Sequence, residues 1–102
     1  MEVIVKKCKK ILNHHYGDRF QGLVLYGSMT KKKNDRFSDI DLLVLLKKPF
    51  NHFQELRTII HLLYPIQLIS KRLISAKPVA LDEYQKGIIQ LYRNAKEEGI
   101  AV

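Results

Sequence analysis

Residues 39–46 read Asp-Ile-Asp-Leu-Leu-Val-Leu-Leu. The continuous apolar run Leu42 to Leu46 has the form of a strand covered on both faces, so the rest of the chain must supply the cover. The two carboxylates at its mouth add a second constraint. Asp39 and Asp41 stand at i and i+2 on a strand, so their side chains leave the same face, roughly 6.5 Å apart along it. Aspartate is disfavoured in strands, and two side by side repel one another. Packing alone does not account for them.

The flanking sequence builds a frame around this strand. Residues 2–16 carry Ile4, Cys8, Ile11, Leu12 and His15 at helical spacing, with Lys6, Lys7, Lys9 and Lys10 on the outer face. Gly17 suits the position just past the end of that helix. Phe20 to Tyr26 (FQGLVLY) reads as a buried strand ending at Gly27. Residues 28–37 are polar and basic and are expected to form a short helix and a loop. Asn51 to Leu63 is a second helix, with Asn51 as its N-cap and Gln54 three residues on. Tyr64-Pro65 is expected to break it. Ile66 to Ile69 then reads as a third strand, residues 70–77 as a connection, Pro78 to Lys96 as a last helix and Gly99 to Val102 as a brief edge strand. The expected order is α-β-α-β-α-β-α with a final short β. The pattern does not determine which strands run parallel.

A chain of 102 residues is expected to form one domain, 1–102, with one core and no separate substrate domain. Its 46% hydrophobic content is ordinary for a globular protein and argues against disorder. No apolar run approaches the roughly 20 residues of a membrane span, and the N-terminus lacks a signal-peptide apolar region, so a cytoplasmic protein is expected. The net charge of +8 favours anionic partners. The single cysteine, Cys8, permits no intrachain disulfide and reads as a small buried hydrophobe on the first helix. His14, His15, His52 and His61 have no metal-ligand spacing. Tyr26 borders the carboxylates and is expected to pack at the strand end rather than stack on a base.

A divalent cation would offset the repulsion between Asp39 and Asp41. Mg²⁺ takes carboxylate, phosphate and water oxygens together. Gly27 and Ser28 close the preceding strand, where a glycine allows close backbone approach and the following N–H groups and the Ser28 hydroxyl can hold phosphate oxygens. Lys31, Lys32 and Lys33 read first as a solvated loop, although with Arg36 they could approach a triphosphate. A phosphate cradle at one strand end and a carboxylate pair on the next outline a metal–nucleotide site.

This arrangement, an apolar strand, Gly27-Ser28 and then Ser38-Asp39-Ile40-Asp41 entering a second apolar strand, resembles the signature of the polymerase-beta-like nucleotidyltransferase superfamily. In layout the resemblance covers most of the chain; it is specific over about Leu23 to Leu46. The small size is similar to that of the minimal nucleotidyltransferases, which pair with helical HEPN proteins as toxin–antitoxin modules. The resemblance implies an α/β fold, a small mixed sheet of three to four strands flanked by helices. It implies that Asp39 and Asp41 coordinate Mg²⁺ and are catalytic, and that Gly27 and Ser28 hold the phosphates of ATP or another nucleoside triphosphate. It further implies transfer of AMP to a hydroxyl, a tyrosine's, on a HEPN partner in a hetero-oligomer, with the chain as antitoxin of a type VII-like module. Two departures stand out. The family's third carboxylate is expected on the next strand, where Pro65 to Ile69 offers Gln67, an amide that cannot act as a base. Lys31-Lys32 also stand where many relatives carry Arg-Gly. An alternative function is therefore a catalytically weakened antitoxin that neutralises its partner by docking. Direct RNA binding is a third reading, weakened by the absence of an aromatic-rich RNA motif.

Overall fold

In the computed structural model of the chain, which describes residues 3–26 and 39–102, the apolar strand Ile40–Leu46 (β2) is an inner member of a four-stranded sheet. The other elements, in chain order, are α1 (Val3–Tyr16), a 3₁₀ turn (Gly17–Arg19), β1 (Phe20–Tyr26), α2 (His52–Ile69), β3 (Ile74–Ala80), α3 (Leu81–Lys86), α4 (Gln90–Glu98) and β4 (Ile100–Ala101). The strand order is β3-β2-β1-β4. β1 pairs antiparallel with both β2 and β4, and β2 pairs parallel with β3. The sheet is thus mixed, and the expected fold class and the short final edge strand are borne out.

Both faces of β2 are covered, as its apolar run requires. Ile40, Leu42, Val44 and Leu46 pack on one face against Val5, Cys8 and Leu12 of α1 and Ile59, Leu63 and Ile66 of α2. Leu43 and Leu45 face the other way, with Val24 of β1, Val79 of β3 and Ala95 of α4, under Leu81, Tyr84 and Tyr92. Cys8 is fully buried on α1, as expected. The Asn51 side chain accepts from the Gln54 backbone N–H at 2.9 Å and caps α2. Lys48, just past β2, pairs with Glu83 at 2.6 Å and Asp82 at 3.6 Å, tying that end of the sheet to α3.

Two expectations are corrected. Pro65 does not break α2, and Ile66 to Ile69 is not a strand but the last turn of that helix. Ile59, Leu63 and Ile66 fall at i, i+4 and i+7 and are all buried. Their packing outweighs the hydrogen bond that Pro65 cannot donate to His61, and both of those residues are on the exposed side of the helix. Gln67 is therefore not on the strand beside β2. Its amide spans the α2–β3 turn, donating from Nε2 to the Arg72 carbonyl at 3.0 Å and accepting at Oε1 from the Ile74 N–H at 2.7 Å.

The second correction concerns residues 70–96. The third strand is Ile74–Ala80, within a stretch read as a connection and a helix start, and the last helix is two, α3 and α4, parted at Gly87. Gly87 has φ +61, left-handed, and its N–H donates to the Tyr84 carbonyl at 3.1 Å, closing α3. A side chain there would also meet Arg93 Cγ at 2.9 Å. The expected helix and loop over 28–37 lie outside the described residues.

Candidate active site

Asp41 sits one residue into β2, paired across the sheet with Tyr26 on one side and Ser75 on the other. Asp39 immediately precedes the strand and is exposed. With side chains alternating, both carboxylates lie on the α3–α4 face of the sheet, the face of Leu43 and Leu45. They stand at the end of that face where β2 and β3 begin, beyond its apolar core.

Burial raises the pKa of Asp41 above the ordinary carboxylate value, and the neighbouring Asp39 charge adds to this. Lys77 opposes both. Burial also raises Tyr26, and the Asp41 carboxylate adds to that shift. Half-buried beside Asp41, Tyr26 packs against the α4-side core, in line with its expected packing role. The local charge balance thus favours an added cation. Two hard oxygen donors on one face, one of them partly desolvated, fit Mg²⁺, which binds through one or two carboxylates with substrate phosphates and water completing its shell. The donor set fits the ion.

β3 bears no carboxylate. Reading Ile-Ser-Ala-Lys-Pro-Val-Ala, it places Ser75 abreast of Asp41 and Lys77 abreast of Leu43 on the same face. Among the described residues no three His, Cys, Asp or Glu side chains gather as a metal-binding group. Ser75 and Lys77 were not anticipated as neighbours of the carboxylates. The signal was the alternation of Ile74, Ala76 and Pro78 with Ser75 and Lys77, a period of two overridden by reading Pro78 as a helix start. Gly27 and Ser28 follow Tyr26 directly in the chain but lie outside the described residues, as do Lys31, Lys32, Lys33 and Arg36.

No helix among the described residues is long and apolar enough to cross a membrane. Comparison with curated proteins gives no match. The family model described as Polymerase beta, Nucleotidyltransferase matches residues 6–100, which takes in β1, β2, β3 and the first residue of β4 together with both carboxylates. The chain, mixed sheet included, thus belongs to the polymerase beta nucleotidyltransferase family.

Proposed function

We propose that the chain is a minimal nucleotidyltransferase that transfers AMP from ATP to a hydroxyl, a tyrosine's, of a helical HEPN partner, acting as the antitoxin of a type VII-like toxin–antitoxin module. The observation that carries this reading is the placement of Asp39 and Asp41 on one face at the mouth of β2, with Asp41 partly desolvated between Tyr26 and Ser75. In the transfer, the acceptor hydroxyl gives up its proton to water as its oxygen bonds to the α-phosphorus, the bond from that phosphorus to the bridging oxygen of the β-phosphate breaks and pyrophosphate leaves. Asp39 and Asp41 would hold Mg²⁺, which when bound neutralises phosphate charge. Gly27 and Ser28 would orient the phosphates. Tyr26 would wall the site beside Asp41.

The test combines purified chain, its HEPN partner, Mg²⁺ and labelled ATP. Label is expected on a partner tyrosine and is expected to vanish with Asp41→Asn. Labelling that survives Asp41→Asn would refute the metal role.

One observation favours a second reading. β3 offers Ser75 and Lys77 where a third carboxylate would assist removal of the acceptor's proton. The chain would then neutralise its partner by docking, with transfer weak or absent. Here the variant carrying both Asp39→Asn and Asp41→Asn still neutralises the partner. Ser75→Asp, which puts a carboxylate abreast of Asp41, raises AMP transfer if the missing group is what limits it.

A further inference from the structure

α2 presents an apolar stripe to solvent. Phe53, Ile60, Tyr64 and Leu68 recur at intervals of seven, four and four, so they share one side of the helix over about 22 Å. Leu73, in the turn that follows, extends the stripe toward β3. These five side chains are each between 57% and 71% exposed. Between α2 and β3 lies a cavity of about 280 Å³ walled chiefly by Ile60, Leu63, Tyr64, Leu73 and Ile74. Single exposed apolar residues are ordinary, whereas a continuous stripe beside an apolar hollow marks a docking surface.

The backbone beside the stripe offers an added strand few donors. β3 is an edge strand, and in a parallel pair alternate residues turn toward the neighbour and away from it. Leu73 turns its carbonyl to β2, accepting from the Ile40 N–H at 2.8 Å. Ile74, Ala76 and Pro78 therefore face outward. The Ile74 N–H is already bonded to Gln67 Oε1, and Pro78 has none to give. With two of those three donors removed, side chains are left to provide most of the contact.

Charge selects the occupant. Between Asn51 and Leu73 the chain carries one acid, Glu55, and three bases, Arg57, Lys71 and Arg72. Glu55 is already engaged, by the Tyr16 hydroxyl at 2.9 Å and Arg19 at 3.8 Å. A second copy would bring bases against bases. The chain's own segment 27–38 adds Lys31, Lys32, Lys33 and Arg36 against Asp35. A flat bilayer would leave the hollow unfilled, whereas an apolar side chain from a helix fills it. We propose that the α2–β3 surface docks an amphipathic helix of another protein, its apolar stripe flanked by Asp or Glu. This surface is separate from Asp39 and Asp41, and its occupancy does not depend on nucleotidyl transfer.

The test uses two synthetic, covalently stapled helical peptides with leucines at i, i+4, i+7 and i+11. One has glutamates flanking the leucines, the other lysines. Titration calorimetry on the full chain is expected to show the glutamate peptide binding on the order of tenfold or more tighter than the lysine peptide. Ile60→Asp and, separately, Leu68→Asp, both at exposed positions, abolish that binding while circular dichroism stays unchanged. Asp41→Asn leaves it intact. The proposal is overturned if neither peptide binds, if the two bind equally, or if Ile60→Asp and Leu68→Asp bind like the parent. It is equally overturned if sedimentation shows a dimer of the chain that Ile60→Asp dissolves. Binding to phosphatidylglycerol vesicles in preference to the glutamate peptide would likewise assign the surface to membranes instead.

Discussion

Cys8 has no exposed surface in the α1 face that packs on the sheet, and burial pushes its thiol from 9.0 up to about 11. The fold holds the neutral form. Its contribution to stability is therefore complete below pH 9 and is lost as pH rises toward 11. At pH 8 a chromogenic disulfide reagent is expected to react about a hundredfold more slowly with the folded chain than with the urea-unfolded one, from the lower thiolate fraction alone. Equal rates would remove Cys8 from the core. Asp41 has a raised pKa with the same sign of linkage, but at neutral pH it is met on the other side of its titration. Its ionised form is the disfavoured one in the fold, so the penalty is present above the folded pKa and is relieved as pH falls through it. In metal-free buffer at pH 7, Asp41→Asn is expected to stabilise the chain by roughly 0.5 kcal/mol, the scale of a solvent-screened charge interaction. Lowering the pH from 7 to 5 should narrow that gap. Thermal melts of the two proteins at both pH values check the sign, and a lower melting temperature for Asp41→Asn at pH 7 would show that its carboxylate is already compensated. The two carboxylates were legible because i, i+2 spacing on a strand fixes a common face whatever the sheet around it. Ser75 and Lys77 were not, because the register that brings them alongside joins residues more than thirty apart and leaves no local mark.

At the scale of elements, α1, β1 and β2 could be read from sequence because local pattern and tertiary burial agree there. The disagreement begins at Pro65. Proline and the largely apolar tetrapeptide Ile66-Gln67-Leu68-Ile69 gave the local signal of a helix stop and a strand, while the i, i+4, i+7 burial of Ile59, Leu63 and Ile66 carried the helix on. β3 was hidden by Pro78, which a central strand would reject but an edge strand accepts on its outer side. Gln67 changes meaning with this correction, from a residue of the site to the fastener of the α2–β3 turn. Gln67→Ala removes two hydrogen bonds and leaves the Ile74 N–H without its partner, with an expected cost of about 1–3 kcal/mol. Gln67→Glu keeps the acceptor for Ile74 but sets a carboxylate oxygen against the Arg72 carbonyl, so it too should destabilise. Chemical denaturation of both variants, alongside a transfer assay, separates the roles. Raised AMP transfer in Gln67→Glu, without loss of stability, would restore this position to the site.

Across the whole molecule, charge is distributed unevenly against a closely packed core. Eighteen bases face ten acids, and three of those acids, Glu55, Asp82 and Glu83, are already paired with Arg19 and Lys48. α1 adds Lys6, Lys7, Lys9 and Lys10 with no acid along its length. Such a surface repels itself, and the repulsion is screened over about 10 Å at 0.1 M salt. The melting temperature is therefore expected to rise as sodium chloride goes from about 20 to 300 mM, a range across which the screening length shortens severalfold. Any polyanion will partly mimic this effect, so ligand stabilisation must be read above it. At 300 mM salt, tripolyphosphate and Mg²⁺-free ATP should add little. ATP with Mg²⁺ should still raise the melting temperature if Asp39 and Asp41 hold the ion beneath the phosphates, and Asp41→Asn should lose that increment while keeping the salt response. An increment that tripolyphosphate reproduces, or that Asp41→Asn retains, would place the nucleotide on the general basic surface and not at the mouth of β2.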